Sequence, residues 1–170
     1  DAEISAGFFA DYSDIDTGKY LMLADNTNPM LSMWNSDFYL KMTLAHGCYW
    51  KKCAFCDTAL DYICRFEPET SESAADKIEK LVKETVINSF HFTDEAAPPA
   101  LLRELSLELI KRKLNISWWG NIRFERSFTL DAARLLSVAG CIGVSGGLEA
   151  ANGRILELMK KGVTLEEAIA

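Results

Sequence analysis

A strand followed by a helix, repeated four times between residues 38 and 162, narrows what this chain can become more than any other feature. Phe38 to Leu44 reads as the first strand. From Ser73 to Val86 the apolar residues Ile78, Leu81, Val82 and Val86 recur at helical spacing, and Ser73 with Asp76 is placed as a capping box. Ile87 to Phe92 reads as the second strand. Pro98 and Pro99 suit the first turn of a helix whose apolar stripe is Leu102, Leu105, Leu109 and Ile110. Asn115 to Trp119 follows as the third strand. Thr129 caps a helix carrying Leu130, Ala133 and Leu136, and Gly140 ends it before the strand Cys141 to Ser145. Ile155, Leu156 and Met159 mark a fourth helix that stops near Gly162. Parallel strands joined by helical crossovers produce this alternation, so the expected class is α/β.

Residues 1–37 carry turn formers and aromatics without periodicity, as in Asp11-Tyr-Ser-Asp-Ile-Asp16, and read as an irregular lead-in to a partial barrel over 38–170. Thr164 with Glu167 forms a last capping box, opening a helix that Ala170 leaves about two turns long, too short to persist alone. Four units make an incomplete barrel, so the chain reads as cut short at its C-terminus. Its 49% hydrophobic content is ample for a packed core. The formal charge of -7, with no basic stripe, argues against nucleic-acid binding. No apolar run reaches the roughly 18 residues of a membrane span, and the N-terminus lacks the basic-then-apolar order of a signal peptide. A cytoplasmic location is expected.

The chemistry collects after the strands. Cys48, Cys53 and Cys56 follow the first, Thr93-Asp94-Glu95 the second, Gly120-Asn-Ile-Arg123 the third and Gly146-Gly-Leu-Glu149 the fourth. In parallel sheets and barrels that edge is where active sites are built, because the loops vary while the strands fix their origins. Three clustered thiols suit a soft metal centre and leave a fourth coordination position open. Five cysteines, an odd number unevenly spread, point to a reducing compartment rather than a disulfide framework. A structural zinc site is the competing reading, with Cys64, His46 or His91 as fourth ligand. Cys64 and Cys141 otherwise read as buried small hydrophobes. Thr93-Asp94-Glu95 could equally cap the next helix, Arg123 and Glu149 could form an ion pair, and one of Trp118 and Trp119 should face the core.

The trio, Phe55 just before the third cysteine, the acidic motif after the second strand and the run Ala139-Gly-Cys-Ile-Gly-Val-Ser-Gly-Gly-Leu-Glu-Ala150 together resemble the radical S-adenosylmethionine (radical SAM) enzymes. The match extends over roughly residues 40–168 and takes in Ile155-Leu-Glu-Leu-Met-Lys-Lys-Gly162 and Thr164 to Ala168. The resemblance implies a partial TIM-like (β/α) barrel of six units, of which about four are present here. It further implies that Cys48, Cys53 and Cys56 hold a 4Fe-4S cluster whose fourth iron takes the amino and carboxylate groups of S-adenosylmethionine. Reductive cleavage then yields a 5'-deoxyadenosyl radical for hydrogen abstraction or methylation of a substrate the sequence does not identify. By position, Phe55 would contact adenine, Thr93, Asp94 and Glu95 the methionine amino group, Arg123 the methionine carboxylate, and Glu149 the ribose hydroxyls.

The chain departs from the family's usual text in three places. Its first cysteine gap holds four residues where three are commonest. His46 precedes Gly47 where many relatives have arginine, and the fifth and sixth strands are absent. Gly47 to Asp57, with Asp11 to Asp16 upstream, is similar to radical SAM proteins that follow a cobalamin-binding domain, some of which mature peptides. That similarity extends the implied cofactors to cobalamin held by a domain outside this chain, and the implied substrates to a peptide. Lys51 and Lys52 suit docking of an acidic, flavodoxin- or ferredoxin-like electron donor. The alternatives are a non-catalytic zinc or iron-sulfur module and an inert fragment of such an enzyme.

Overall fold

The computed structural model describes residues 10–21, 25–30 and 38–169. Within the lead-in, Asp16 caps a single 3-10 turn, Thr17–Lys19. Residues 1–9, 22–24 and 31–37 of the lead-in read over 1–37 lie outside the described residues.

Four parallel strands form the sheet: β1 (Leu40–Met42), β4 (Ser89–Phe92), β5 (Ser117–Asn121) and β6 (Cys141–Ser145), in that spatial order. Between β1 and β4 lie β2 (Ala45–His46), α1 (Asp61–Cys64), β3 (Glu67–Pro68) and α2 (Ser71–Thr85). The later crossovers are α3 (Pro99–Arg112) and α4 (Leu130–Val138), and α5 (Gly153–Leu158) and α6 (Leu165–Ile169) complete the chain. This is the expected α/β class with a parallel sheet.

Strand residues alternate between two environments, as a period of two requires. Leu40, Met42, Phe90, Phe92 and Trp118 join Ile78 and Leu81 of α2 and Leu102, Leu105 and Leu109 of α3 in one buried core. The intervening Lys41, His91 and Trp119 stand in register across three strands, and the His91 and Trp119 rings stack 3.5 Å apart.

Several boundaries differ from the sequence reading for local reasons. The Thr70 hydroxyl accepts from the Ser73 amide, so α2 begins at Ser71 and Ser73 is not its cap. Val86 stands outside the helix in the left-handed region, 86% exposed, rather than on the apolar stripe. Ile110 and Leu130 are likewise exposed. The third strand runs two residues later than expected. Gly120 lies in β5 opposite Phe92, close enough that a Cβ there would sit 3.1 Å from Phe92 Cβ, and Asn121 pairs with Ser145. Only Ile122 and Arg123 remain beyond the strand.

No periodicity in the sequence marks β2 and β3. They pair antiparallel, Ala45 with Pro68 and His46 with Glu67, closing the neck of the cysteine loop. His46 is exposed in this ladder. Gly47 follows at φ +74°, where a Cβ would overlap the Arg65 carbonyl, so a left-handed backbone and a close approach both call for glycine. The two N-cap expectations at the other end of the chain hold. Thr129 accepts from the Ala132 amide, and Thr164 and Glu167 exchange reciprocal bonds of 2.9 and 3.2 Å.

Candidate functional site

Cys48 leaves the β2–β3 neck with its amide bonded to the Ile63 carbonyl at 3.1 Å, and the loop then crosses the carboxyl edge of the sheet. It is pinned there by a segment more than a hundred residues later. The Ala54 amide donates to the Met159 carbonyl at 2.8 Å, and the Trp50 indole N–H donates to the Lys160 carbonyl at 2.9 Å. Gly162, at φ +68°, lies directly under the Trp50 ring, which a Cβ would overlap. Arg123 places its guanidinium 4.4 Å from the Trp50 ring centroid and donates to the Lys161 carbonyl at 2.5 Å. The turn after α5 is therefore the mould for the cysteine loop.

Inside this arrangement lies a cavity of about 230 Å³. Its lining includes the three cysteines, Phe55, Glu95, Arg123, Glu149 and Lys161. Seven of the residues singled out in the sequence thus meet at one place, although they come from four separate loops: Cys48, Cys53, Cys56, Phe55, Glu95, Arg123 and Glu149. Burial pushes the Cys56 thiol up from its ordinary pKa, and the neighbouring Cys53, Cys48, Glu95 and Asp57 push it further.

Thr93 and Asp94 do not line the cavity. The Thr93 amide continues the β1–β4 ladder to the Met42 carbonyl at 2.8 Å, and its hydroxyl meets that of Thr43 at 3.0 Å. Asp94 is 1% exposed, and its carboxylate accepts from the Leu44 amide at 3.1 Å and the Ala45 amide at 2.7 Å. Burial pushes its pKa up to about 6, with the two amide bonds acting in the opposite direction. This side chain ties the end of the first strand to the loop after β4.

Arg123 and Glu149 do not form the ion pair that their places on neighbouring loops allowed. Arg123, 6% exposed, bonds Glu125 at 3.4 Å, and Glu125 also accepts from the Tyr49 hydroxyl at 3.0 Å. Glu149 pairs instead with Lys161 at 2.9 Å. A guanidinium has five N–H donors, and the bonds to Glu125 and the Lys161 carbonyl use two of them. Lys161 escaped the sequence reading. It is 8% exposed, and its ammonium lies 5.3 Å from the Phe55 ring centroid as well as beside Glu149. The available signal was the Lys161-Gly162 pair, where a glycine at φ +68° in the turn after α5 lets the chain bring the lysine inward.

Cys64 is exposed and Cys141 half-buried, so neither is the fully buried hydrophobe expected. His91 is half-buried against Trp119, away from the cavity lining. Among the described residues no three of His, Cys, Asp and Glu converge as ligands of a single metal ion. No helix among them is long and apolar enough to cross a membrane.

No family model matches the chain. Over 127 residues it is 29% identical to an uncharacterized methyltransferase of Pyrococcus horikoshii, covering 74% of this chain and 27% of that protein. Among solved structures it resembles the cobalamin-dependent S-adenosylmethionine radical enzyme OxsB with aqua-cobalamin and S-adenosylmethionine bound. The TM-score is 0.64 at 19% identity, over 77% of this chain and 21% of that one. The apo, selenomethionine-labelled form of OxsB gives 0.62 at 19% identity, over 79% and 22%. The chain spans about a quarter of the methyltransferase and about a fifth of OxsB. The likeness to OxsB is one of fold.

Proposed function

We propose that this chain is the cluster-binding part of a radical SAM enzyme. The observation that carries the reading is the single cavity into which Cys48, Cys53, Cys56, Phe55, Glu95, Arg123 and Glu149 are gathered. The donor set fits the implied group. Thiols spread around a cavity suit a polynuclear cluster, whose irons occupy separate corners, better than one zinc ion, which needs its ligands aimed at one point. Burial first, and then the neighbouring thiols and acids, raise the Cys56 thiol, and a cationic metal core offsets both, since metal binding favours the thiolate. Bound there, an iron-sulfur cluster supplies the single electron for reductive cleavage of S-adenosylmethionine.

The chain's own residues would then bind and orient. Cys48, Cys53 and Cys56 hold the cluster, and Phe55 offers a face and backbone for adenine. Glu95 is the acid of the Thr93-Asp94-Glu95 motif that lines the cavity, so it is assigned the methionine amino group, while Thr93 and Asp94 shape the loop that carries it. Arg123 pairs with the methionine carboxylate through its remaining N–H groups. Glu149 takes the ribose hydroxyls, with Lys161 fixing its position. The fold likeness to a cobalamin-dependent enzyme and the sequence likeness to a methyltransferase favour methyl or hydrogen transfer assisted by cobalamin in a neighbouring domain. The substrate is unassigned, with a peptide the leading class.

Anaerobic reconstitution with iron and sulfide tests this. The expected product has about four irons per chain, an electron-spin signal that shifts on adding S-adenosylmethionine, and cleavage of that molecule when reductant is present. Cys53→Ser should lose the iron and Cys64→Ser should keep it. Retained iron in the first variant, or a signal indifferent to S-adenosylmethionine in the parent, would sink the assignment.

A further inference from the structure

Between Cys48 and Cys53 stand Tyr49, Trp50, Lys51 and Lys52, and the first two converge on one buried cation. Arg123 is 6% exposed, and its guanidinium carbon lies 4.4 Å from the Trp50 ring centroid and 5.9 Å from that of Tyr49. Both distances fall within the roughly 6 Å over which an aromatic face attracts a cation. Tyr49 reaches the same group a second way. Its hydroxyl donates to Glu125 Oε2 at 3.0 Å, and that oxygen also accepts from Arg123 Nε at 3.4 Å. The Ser127 hydroxyl donates to the other oxygen, Oε1, at 2.8 Å, so both ends of the carboxylate are held. Burial, and then the Glu125 charge, push the Tyr49 hydroxyl above its ordinary pKa, which keeps it a donor.

The two aromatic residues are themselves tied down. The Tyr49 ring meets Phe66, beside β3, edge-on with centroids 6.2 Å apart. The Trp50 indole N–H donates to the Lys160 carbonyl at 2.9 Å, beside Gly162, where a Cβ would overlap the ring. Lys51 follows at φ +55°, a left-handed conformation uncommon for a residue with a side chain. Arg123 thus has two rings, one carboxylate and the Lys161 carbonyl as neighbours, and its bonds use two of its five N–H donors. A guanidinium held in this way, with donors to spare at the wall of the thiol-lined cavity, is set for a planar anion.

We infer that Tyr49 and Trp50 are positioning residues, which hold Arg123 in place for the carboxylate of the ligand and make recognition of that carboxylate depend on the shape of the cysteine loop. This rests on the assignment of Arg123 to the methionine carboxylate. An arginine side chain free to rotate gives up that freedom on binding, whereas one already held against two rings gives up little. Because Tyr49 and Trp50 lie between two of the three cysteines, whatever seats the loop also seats Arg123. The unusual length of the first cysteine gap thereby acquires a use, since it carries two rings to one guanidinium.

The test compares two ligands on the chain after reconstitution, with iron assayed alongside. S-adenosylhomocysteine carries the amino and carboxylate groups, and methylthioadenosine keeps the nucleoside and thioether without them. Binding isotherms are read for the parent, Tyr49→Phe, Trp50→Leu, Arg123→Gln and the double variant Trp50→Leu/Arg123→Gln. Arg123→Gln should weaken S-adenosylhomocysteine about tenfold or more. Trp50→Leu should weaken it about fivefold, and Tyr49→Phe, which removes a single oxygen, about threefold. The double variant should bind within about twofold of Arg123→Gln, since a residue that acts through Arg123 then has nothing left to position. Methylthioadenosine should bind all of these proteins within about twofold of the parent, because it brings no carboxylate to the guanidinium. Parental affinity for S-adenosylhomocysteine in either Tyr49→Phe or Trp50→Leu overturns the proposal and leaves the Arg123 assignment standing. Losses that add to that of Arg123→Gln, or equal losses for the two ligands, overturn it as well, because they mark a merely structural role. A parent that does not prefer S-adenosylhomocysteine, or an Arg123→Gln variant that binds it like the parent, removes the carboxylate assignment and the proposal with it. Absence of iron in the parent sinks the cluster reading alone, and the isotherms decide as before.

Discussion

On the helix-covered face of the sheet, Phe90, Phe92 and Trp118 are each buried to within 1% of full enclosure, whereas the three cysteines at the carboxyl edge are only half-buried. The two regions are held by different forces. The covered face is stabilised by apolar area, a non-directional effect that tolerates small shifts because many neighbours share it. The cysteine loop is held by single contacts: two hydrogen bonds onto residues 159–160, one indole over one glycine, one guanidinium against that indole. Each of these contacts depends on direction, and none has a substitute. Stability and site geometry should therefore come apart under mutation, and three substitutions test how cleanly they do.

The largest effect belongs to the covered face. Trp118 packs against Phe92 with ring centroids 5.0 Å apart, and its indole donates to the Ala139 carbonyl at 3.0 Å. Trp118→Ala removes a buried indole and strands that carbonyl, at an expected cost of about 3 to 5 kcal/mol. Urea unfolding followed by circular dichroism measures it. A loss under about 1 kcal/mol would mean that the apolar face is not what holds the sheet.

The same division explains what could be read in advance. Long periodic segments declare their covered face directly, so the stripe Leu102, Leu105, Leu109 and the strands carrying Phe90 and Phe92 were legible within a few residues. The cysteine trio and the residues after each strand were legible because the parallel topology alone sends them to one edge. The β2–β3 neck was not, since two-residue strands have no period to detect. Lys161 and the Trp50–Gly162 contact were hidden for another reason. They join residues over a hundred positions apart, and only the completed fold shows that the fourth unit returns beneath the first loop. Asp94 beside Glu95 marks the finest limit. One acid is buried on backbone amides and its neighbour lines the cavity, a difference set by the path of the loop after β4 that composition cannot express.

Asp94 carries the intermediate effect, because it joins the two regions. Asp94→Ala leaves the Leu44 and Ala45 amides without their buried acceptor, at about 2 to 4 kcal/mol. The pH dependence separates charge from hydrogen bonding. Its folded pKa of about 6 lies above the ordinary 3.8, so the folded state binds the proton more tightly. That contribution to stability is complete below about pH 4 and is lost as pH rises through about 6, a change of at most about 3 kcal/mol. Asp94→Asn keeps one acceptor and cannot ionise, so its stability should lack this fall between pH 4 and 7. Parallel pH profiles for parent and Asp94→Asn, by urea unfolding at each pH, would show that burial does not control this carboxyl.

Gly162→Ala should have the smallest effect on stability and the most selective effect on the site. The new methyl would overlap the Trp50 ring, and the backbone sits at φ +68°, which costs a non-glycine residue about 1 kcal/mol. The ring is the movable partner. Swinging it out breaks the bond to the Lys160 carbonyl and removes the surface against which Arg123 stacks, so a total of about 1 to 2 kcal/mol is expected. The covered face, which shares none of these atoms, should be untouched. Gly153→Ala is the control, because a Cβ there meets nothing within 4 Å at the start of α5. Acrylamide quenching of tryptophan fluorescence reads Trp50 exposure, and iron uptake on reconstitution reads the loop. Increased quenching and reduced iron in Gly162→Ala, with stability lowered by no more than about 2 kcal/mol and an unaffected Gly153→Ala, would establish that the edge can fail while the face holds. A Gly162→Ala variant that loads iron like the parent would instead mean that the loop keeps its shape without the turn after α5, and the contrast between the two regions would be one of burial alone.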